Sequence, residues 1–209
     1  YNIIRNNYLA TLVIADACRR LNKKLIYVSS FSVYGNQPTP WREDTPLEST
    51  TPYGHAKVAC EDLLKTYHNI YGLDVKIARI SNVFGPFEHF HKPPQALLTW
   101  FEKAKDKQPL TVYGEDTTRD FTFVFDVCAG LMMMSRLPSG FDVYNICSGE
   151  ELRLLDVAGF ISDDVKVEPL ASTETRKWVG DNTKIRTLGW QPTKKVYDWI
   201  QEQRMIRGF

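Results

Sequence analysis

Two short runs rich in apolar and β-branched residues most constrain the fold of this chain. LIYVSS at 25–30 and VKIARI at 75–80 are typical of strands buried on both faces. A long helical segment lies between them: Thr51 can cap its free backbone amides, Pro52 suits the first helical position and Gly72 ends it. Because strands that alternate with helices form parallel sheets, the sequence predicts an α/β fold.

The long helical segment carries the residues with the clearest chemical meaning. Tyr53 and Lys57 are four residues apart, so the phenol and the ammonium lie on one face of a helix. Ser29 and Ser30 end the first strand, at the sheet edge where open α/β proteins bind ligands. A nearby cation favours a tyrosine phenolate, so this set predicts a general base with a lowered pKa. The alternatives are a Tyr-Lys pair on a solvated helix and serines that only form a turn.

Composition excludes several classes of partner. The 26 Lys and Arg nearly balance the 25 Asp and Glu, which argues against binding to nucleic acid or an anionic membrane. No apolar run is long enough to cross a bilayer. The four cysteines form no CxxC pair, which favours a reduced, cytoplasmic protein, and no histidine completes a metal-ligand set.

Six further segments identify a resemblance to a known family. VSSFSVYG, TPYGHAK, RISNVFGP, TRDFTFVFDV, VYNICSG and TLGWQP occur in this order along nearly the whole chain. Together they resemble successive blocks of the extended short-chain dehydrogenase/reductase family, the NAD-dependent epimerase/dehydratases similar to UDP-glucose 4-epimerase. The resemblance implies a partial Rossmann-like, doubly wound parallel sheet with a smaller C-terminal α/β lobe that binds substrate. It also implies a dinucleotide-binding part at 1–82, completed by about 120–147, and a substrate-binding lobe at 83–119 and 148–209.

The resemblance assigns a role to each matching residue. The catalytic residues would be Ser30, Tyr53 and Lys57. The cofactor, NAD, would be bound by Asn7, Ser29, Tyr53, Lys57 and Ser81. The nucleotide-sugar substrate would be bound by Ser30, Asn82, Val112, Tyr113, Arg119 and Arg176. Two alternatives remain open: Asn82 as a turn residue, and Arg119 with Asp120 as a surface ion pair.

Three departures from the family pattern refine these expectations. The glycine-rich turn that holds the pyrophosphate and the first βαβ units are absent from the printed sequence, so we expect a chain that is N-terminally truncated relative to the family. Phe31 and Ser32 stand where sugar dehydratases and decarboxylases carry acidic residues. The segment 172–176 has the sequence STETR where the family often carries an Arg-x-Gly-Asp type contact to the diphosphate, and Arg176 is the expected substitute.

The resemblance therefore predicts a cytoplasmic, NAD-dependent nucleotide-sugar 4-epimerase that acts through a transient 4-keto sugar. The expected partners are a UDP-sugar and a second copy of the chain. The alternatives are a reductase, dehydrogenase or dehydratase of the same family, and a non-catalytic module that binds sugar nucleotides.

Overall fold

The computed structural model describes residues 2–88, 95–171 and 174–208. A short π-helix, Ile4–Leu9, leads into the first α-helix. The α-helices are α1 (Ala10–Arg20), α2 (Pro52–Tyr71), α3 (Ala96–Lys105), α4 (Val124–Ser135), α5 (Leu154–Ile161), α6 (Thr183–Arg186) and α7 (Val196–Arg207). The strands are β1 (Leu25–Ser30), β2 (Val75–Ile80), β3 (Asn82–Phe84), β4 (Leu110–Tyr113), β5 (Thr118–Arg119), β6 (Phe121–Phe123), β7 (Phe141–Ile146), β8 (Leu152–Arg153) and β9 (Val165–Glu168).

The main sheet is three-stranded and parallel, in the order β1-β2-β7. Side chains alternate across it, so Ile77 packs in a cluster with α1 and α2 while Ala78 packs in a cluster with α4. This two-sided burial explains why β2 carries apolar residues on both faces, and it confirms the predicted α/β class. The predicted first strand, second strand and intervening helix all lie at the expected residues.

A second core, here called the lobe core, is built from α3, α5, α7 and the strands around them. Its parallel pair β4-β9 packs against α3 and α5, and its buried members include Trp100, Leu110, Val112 and Ile200. The predicted division into two parts stays a prediction. Residues Ile185 and Trp190, which that division puts in the lobe, pack with the main sheet instead.

The run FTFVF at 121–125 by itself predicts a strand, and that prediction is wrong in its last two residues. The strand ends at Phe123, and Val124 already begins α4. That helix covers the sheet with an apolar face, so its first turn is as apolar as a strand, and local propensity cannot separate the two. In the described ranges, no helix combines the length and the apolar character needed to cross a membrane.

Candidate active site

Ser30 stands at the carboxyl end of β1, where the chain turns sharply into a short 3₁₀ helix. Its Oγ accepts a hydrogen bond from the Ser32 amide at 3.2 Å and lies 3.1 Å from the Ser32 hydroxyl. The 3₁₀ helix, Phe31–Val33, leads into a buried aromatic cluster in which Phe31 packs against Tyr34 and Trp41. This packing fixes the turn that presents the Ser30 hydroxyl.

Tyr53 lies in the first turn of α2, and its phenol interacts with the side chain of Ser30. Thr51 caps the helix by accepting from the Gly54 amide at 3.1 Å, and Pro52 occupies the first position as predicted. Burial raises the pKa of the Tyr53 phenol above its ordinary value, and a hydrogen bond with Ser30 partly offsets that rise. The expectation of a lowered Tyr53 pKa is therefore not met.

Lys57 follows one turn later on the same helix face. Its Nζ donates to the Val28 carbonyl at 2.9 Å and lies 5.7 Å from the centroid of the Tyr53 ring. It also lies 4.8 Å from the centroid of the Tyr27 ring. Burial lowers the pKa of Lys57, while the charges of Cys60 and Glu61 act in the opposite direction. The structure thus brings Ser30, Tyr53 and Lys57 together.

Asn7 lies beside this cluster. It lines, with Lys57, a cavity of about 200 Å³ between α1 and β1, and its side-chain amide donates to the Ile3 carbonyl at 3.0 Å. An ammonium has three donors, and only one of those of Lys57 is bonded to Val28 among the described residues. The remaining donors suit the hydroxyls of a ribose, so these residues fit a dinucleotide.

The structure does not bring Ser29 and Ser81 into the cluster. Ser29 alternates to the other side of β1, where its buried hydroxyl donates to Glu61 at 2.5 Å. The buried Ser81 hydroxyl lies 2.7 Å from that of Thr122 and donates to Asp120 at 3.3 Å. Internal hydrogen bonds therefore occupy both hydroxyls that were predicted to contact the cofactor.

A larger cavity, of about 520 Å³, lies against the lobe core. Asn82, Tyr113 and Arg119 all line it. Asn82 is fixed there because its side-chain amide donates to the Asp120 carbonyl at 3.2 Å. Val112 was predicted to bind the substrate but is 1% exposed within the lobe core, since alternate residues of β4 point to opposite faces.

Arg119, like Lys103, is a basic residue that lines this cavity. Its Nη1 donates to the main-chain carbonyls of Thr118 at 2.8 Å and Thr175 at 3.1 Å, and its guanidinium stacks 5.2 Å from the Trp178 ring centroid. Burial lowers the pKa of Arg119 to about 10, while the charge of Glu174 acts to raise it. No carboxylate in the described ranges lies within 4.0 Å of it.

Asp120 does not pair with Arg119, so the alternative of a surface ion pair is wrong. Its carboxylate is fully buried and accepts from the amides of Ser148 and Gly149, each at 2.9 Å. The Ser148 hydroxyl donates to it at 2.8 Å. Asp120 thus orders the loop after β7 and does not neutralise Arg119.

Arg176 lies apart from Arg119. Its exposed side chain lines a separate cavity of about 280 Å³ together with Gln37 and Thr175. Only its main-chain carbonyl approaches Arg119, at 3.4 Å. The contact of Arg176 with a substrate stays a prediction.

Sequence reasoning missed a buried network beneath the candidate site. Glu61 pairs with Arg79 at 2.7 Å, and Arg79 donates to the Tyr34 hydroxyl at 3.0 Å. The repeat of four residues from Tyr53 through Lys57 to Glu61 was the available signal.

The chain is similar in sequence and in structure to several known proteins. A dTDP-glucose 4,6-dehydratase of Streptomyces niveus is 30% identical over 96% of this chain and 62% of its own length. A UDP-glucose 4-epimerase of Mycolicibacterium smegmatis is 31% identical over 93% of this chain and 66% of its own length. The chain therefore spans slightly less than two thirds of these curated relatives.

A solved structure of UDP-glucuronic acid 4-epimerase from Bacillus cereus, in complex with UDP-glucuronic acid and NAD, matches with a TM-score of 0.88 and 26% identity. A UDP-N-acetylglucosamine 4-epimerase from Methanobrevibacter ruminantium, in complex with UDP-N-acetylmuramic acid, matches with a TM-score of 0.88 and 25% identity. Each match covers 98% of this chain and 68% of the other. The family model for the NAD dependent epimerase/dehydratase family matches residues 1–147, and the chain belongs to that family.

Proposed function

We propose that this protein is a NAD-dependent nucleotide-sugar 4-epimerase that acts through a transient 4-keto sugar. The convergence of Ser30, Tyr53 and Lys57 at the carboxyl end of β1 supports this proposal most directly. Tyr53 takes the proton from the sugar 4-hydroxyl and returns it, while Ser30 orients that hydroxyl. NAD, when bound, supplies the hydride acceptor and donor. Lys57, with Asn7 beside it, holds the cofactor ribose and keeps a positive charge near the phenol.

The cavity at the lobe core is the proposed site for the nucleotide diphosphate. Arg119 is a buried cation, and burial disfavours its charge. A diphosphate that neutralises this charge therefore gains binding energy. Asn82 adds an amide and Tyr113 an exposed ring beside it. Two of the structurally similar epimerases have UDP-sugars bound, and we propose a UDP-sugar as the substrate here.

The turn after Ser30 favours epimerisation over dehydration. Phe31 is fully buried, and the Ser32 hydroxyl lies against Ser30, so this turn offers no titratable side chain at neutral pH. A dehydratase needs such an acid or base beside the sugar, because it also moves a proton at neighbouring carbons.

We also propose that the protein forms a homodimer through α1 and α2. Leu9 at the end of the π-helix, Val13 on α1 and Ile70 on α2 are exposed apolar residues, and helix pairs of this kind pack into four-helix bundles. Light scattering on the purified protein tests this, since a monomer at micromolar concentration would contradict it.

The test of the proposed activity uses the NAD-loaded protein with UDP-glucose, UDP-N-acetylglucosamine and UDP-glucuronic acid, with products identified by proton NMR. We expect the 4-epimer of at least one substrate, and a loss of about 10²- to 10⁴-fold in kcat for Tyr53→Phe. Wild-type turnover by Tyr53→Phe would refute the role of Tyr53.

The other products identify the alternatives. A 4-keto-6-deoxy sugar would show a dehydratase, and a net requirement for added NAD(P)H would show a reductase. Binding of UDP-sugars without turnover or NAD binding would show a non-catalytic module.

A further inference from the structure

Glu61 occupies an unusual place for a carboxylate. It lies on α2 one turn beyond Lys57 and two turns beyond Tyr53, on the face that packs against the main sheet. Glu61 is 4% exposed, and its partners Arg79 and Ser29 are 4% and 2% exposed. Burying three polar groups in one spot is costly unless each is hydrogen-bonded, so the contacts among them matter.

The Glu61 carboxylate joins α2 to two strands at once. Arg79 on β2 donates to it from Nη2 at 2.7 Å and from Nε to both oxygens at 3.2 Å. Ser29 on β1 donates to one of these oxygens at 2.5 Å. Ser29 and Arg79 are direct partners in the parallel register, so the carboxylate sits across the junction of the two strands.

These two strands carry the candidate active site. Ser29 directly precedes Ser30, and Arg79 lies three residues before Asn82. A helix free to rotate or slide over the sheet would move Tyr53 relative to Ser30, because their contact depends on the height and rotation of α2. A fork of charge-assisted hydrogen bonds at Glu61 removes that freedom.

The far side of Arg79 is held equally firmly. Its Nη1 donates to the Tyr34 hydroxyl and to the Glu43 carbonyl, each at 3.0 Å. The Tyr34 hydroxyl in turn donates to Asn145 of β7 at 2.6 Å. The guanidinium therefore cannot follow a displaced Glu61 without breaking its bonds to Tyr34 and Glu43.

We propose that Glu61 is a positioning residue, which sets the placement of α2 on the sheet through Arg79 and Ser29 and so holds Tyr53 against Ser30. It touches neither substrate nor cofactor. The expected effect of Glu61 on turnover rests on the proposed function. Its expected effect on the Tyr53–Ser30 contact does not.

The test compares Glu61→Gln with a matched control, Asp74→Asn. Asp74 pairs with the buried Lys76 at 3.0 Å at the opposite end of β2, so its loss also leaves a buried cation without its carboxylate. Both variants are expected to lower the unfolding midpoint. Only Glu61→Gln is expected to lower kcat, by about tenfold or more, with the Kd for UDP within twofold of wild type.

A titration reports on the contact without any turnover. The Ser30 hydrogen bond lowers the Tyr53 pKa, so Ser30→Ala should raise that pKa in the wild type. The rise should shrink in the Glu61→Gln background, where the contact is already weakened, and keep its full size in the Asp74→Asn background. Ultraviolet titration against a Tyr53→Phe reference measures it.

Ser29→Ala gives a second route, because it removes one hydrogen bond to Glu61 and leaves no buried charge unpaired. It should fold even if Glu61→Gln does not. Like Glu61→Gln, it should lower kcat and reduce the rise in the Tyr53 pKa that Ser30→Ala causes. A full pKa rise in both variants would overturn the inference. If the titration behaves as expected but Tyr53→Phe retains wild-type turnover, the proposed function fails and the positioning role stands.

Discussion

Replacing Arg119 with methionine should weaken the binding of UDP while changing the stability of the fold little. The structure allows both effects to be estimated. Burial lowers the pKa of Arg119 to about 10 from 12.5, which corresponds to roughly 3 kcal/mol by which the fold disfavours the charge. Methionine removes that cost but leaves the carbonyls of Thr118 and Thr175 without this donor. At roughly 0.5–1.5 kcal/mol for each hydrogen bond, the two together lose roughly 1–3 kcal/mol. The carbonyl of Arg176 keeps a partner, the Thr118 amide at 3.0 Å.

The two effects on stability nearly cancel, whereas the effects on binding do not. We expect the free energy of unfolding of Arg119→Met to stay within about 2 kcal/mol of wild type. A charge-assisted hydrogen bond to phosphate contributes about 1.5–3 kcal/mol, so the Kd for UDP should rise about 10- to 150-fold.

Isothermal titration calorimetry with UDP measures the affinity, and scanning calorimetry measures the stability. Arg153→Met is the control, because Arg153 is an exposed arginine on the neighbouring strand that already pairs with Asp156 at 2.7 Å. A Kd for Arg119→Met within threefold of wild type would refute the assignment of this cavity to a diphosphate. So would an equal loss of affinity in Arg153→Met.

Two further predictions concern the start of α2. Ser30→Ala should raise the Tyr53 pKa above its wild-type value, since the hydrogen bond from Ser30 lowers it, and ultraviolet titration showing a fall would contradict the contact. Gly54→Ala should cost about 1–3 kcal/mol and most of the activity, because a Cβ there would lie 2.4 Å from the Ser32 carbonyl oxygen and 1.9 Å from the Ser49 hydroxyl. Gly159→Ala on α5 is its control, since no described atom beyond its own stretch of helix lies within 4 Å of the added carbon, and it should stabilise the protein by about 0.5–1 kcal/mol in chemical denaturation. Equal stability of the two variants would contradict the close packing at Gly54.

The helix and strands that carry the candidate site are largely predictable from local sequence. The runs at 25–30 and 75–80, the cap at Thr51 and the glycine at 72 define β1, α2 and β2 because each depends on neighbours in the chain. The four-residue spacing of Tyr53 and Lys57 then places both on one helix face. Sequence alone therefore determined the fold class and the common helix face of Tyr53 and Lys57.

The direction and surroundings of individual side chains came only from the tertiary structure. Ser29 turns to Glu61, 32 residues away, and Arg119 bonds to Thr175, 56 residues away. Val112 is buried because of what packs on β4, and the Tyr53 pKa rises because burial outweighs its one favourable hydrogen bond. Helix caps and the spacing of apolar residues depend on neighbouring positions, which the sequence displays. Burial, charge pairing and pKa depend on contacts between distant segments, which exist only once the chain has folded.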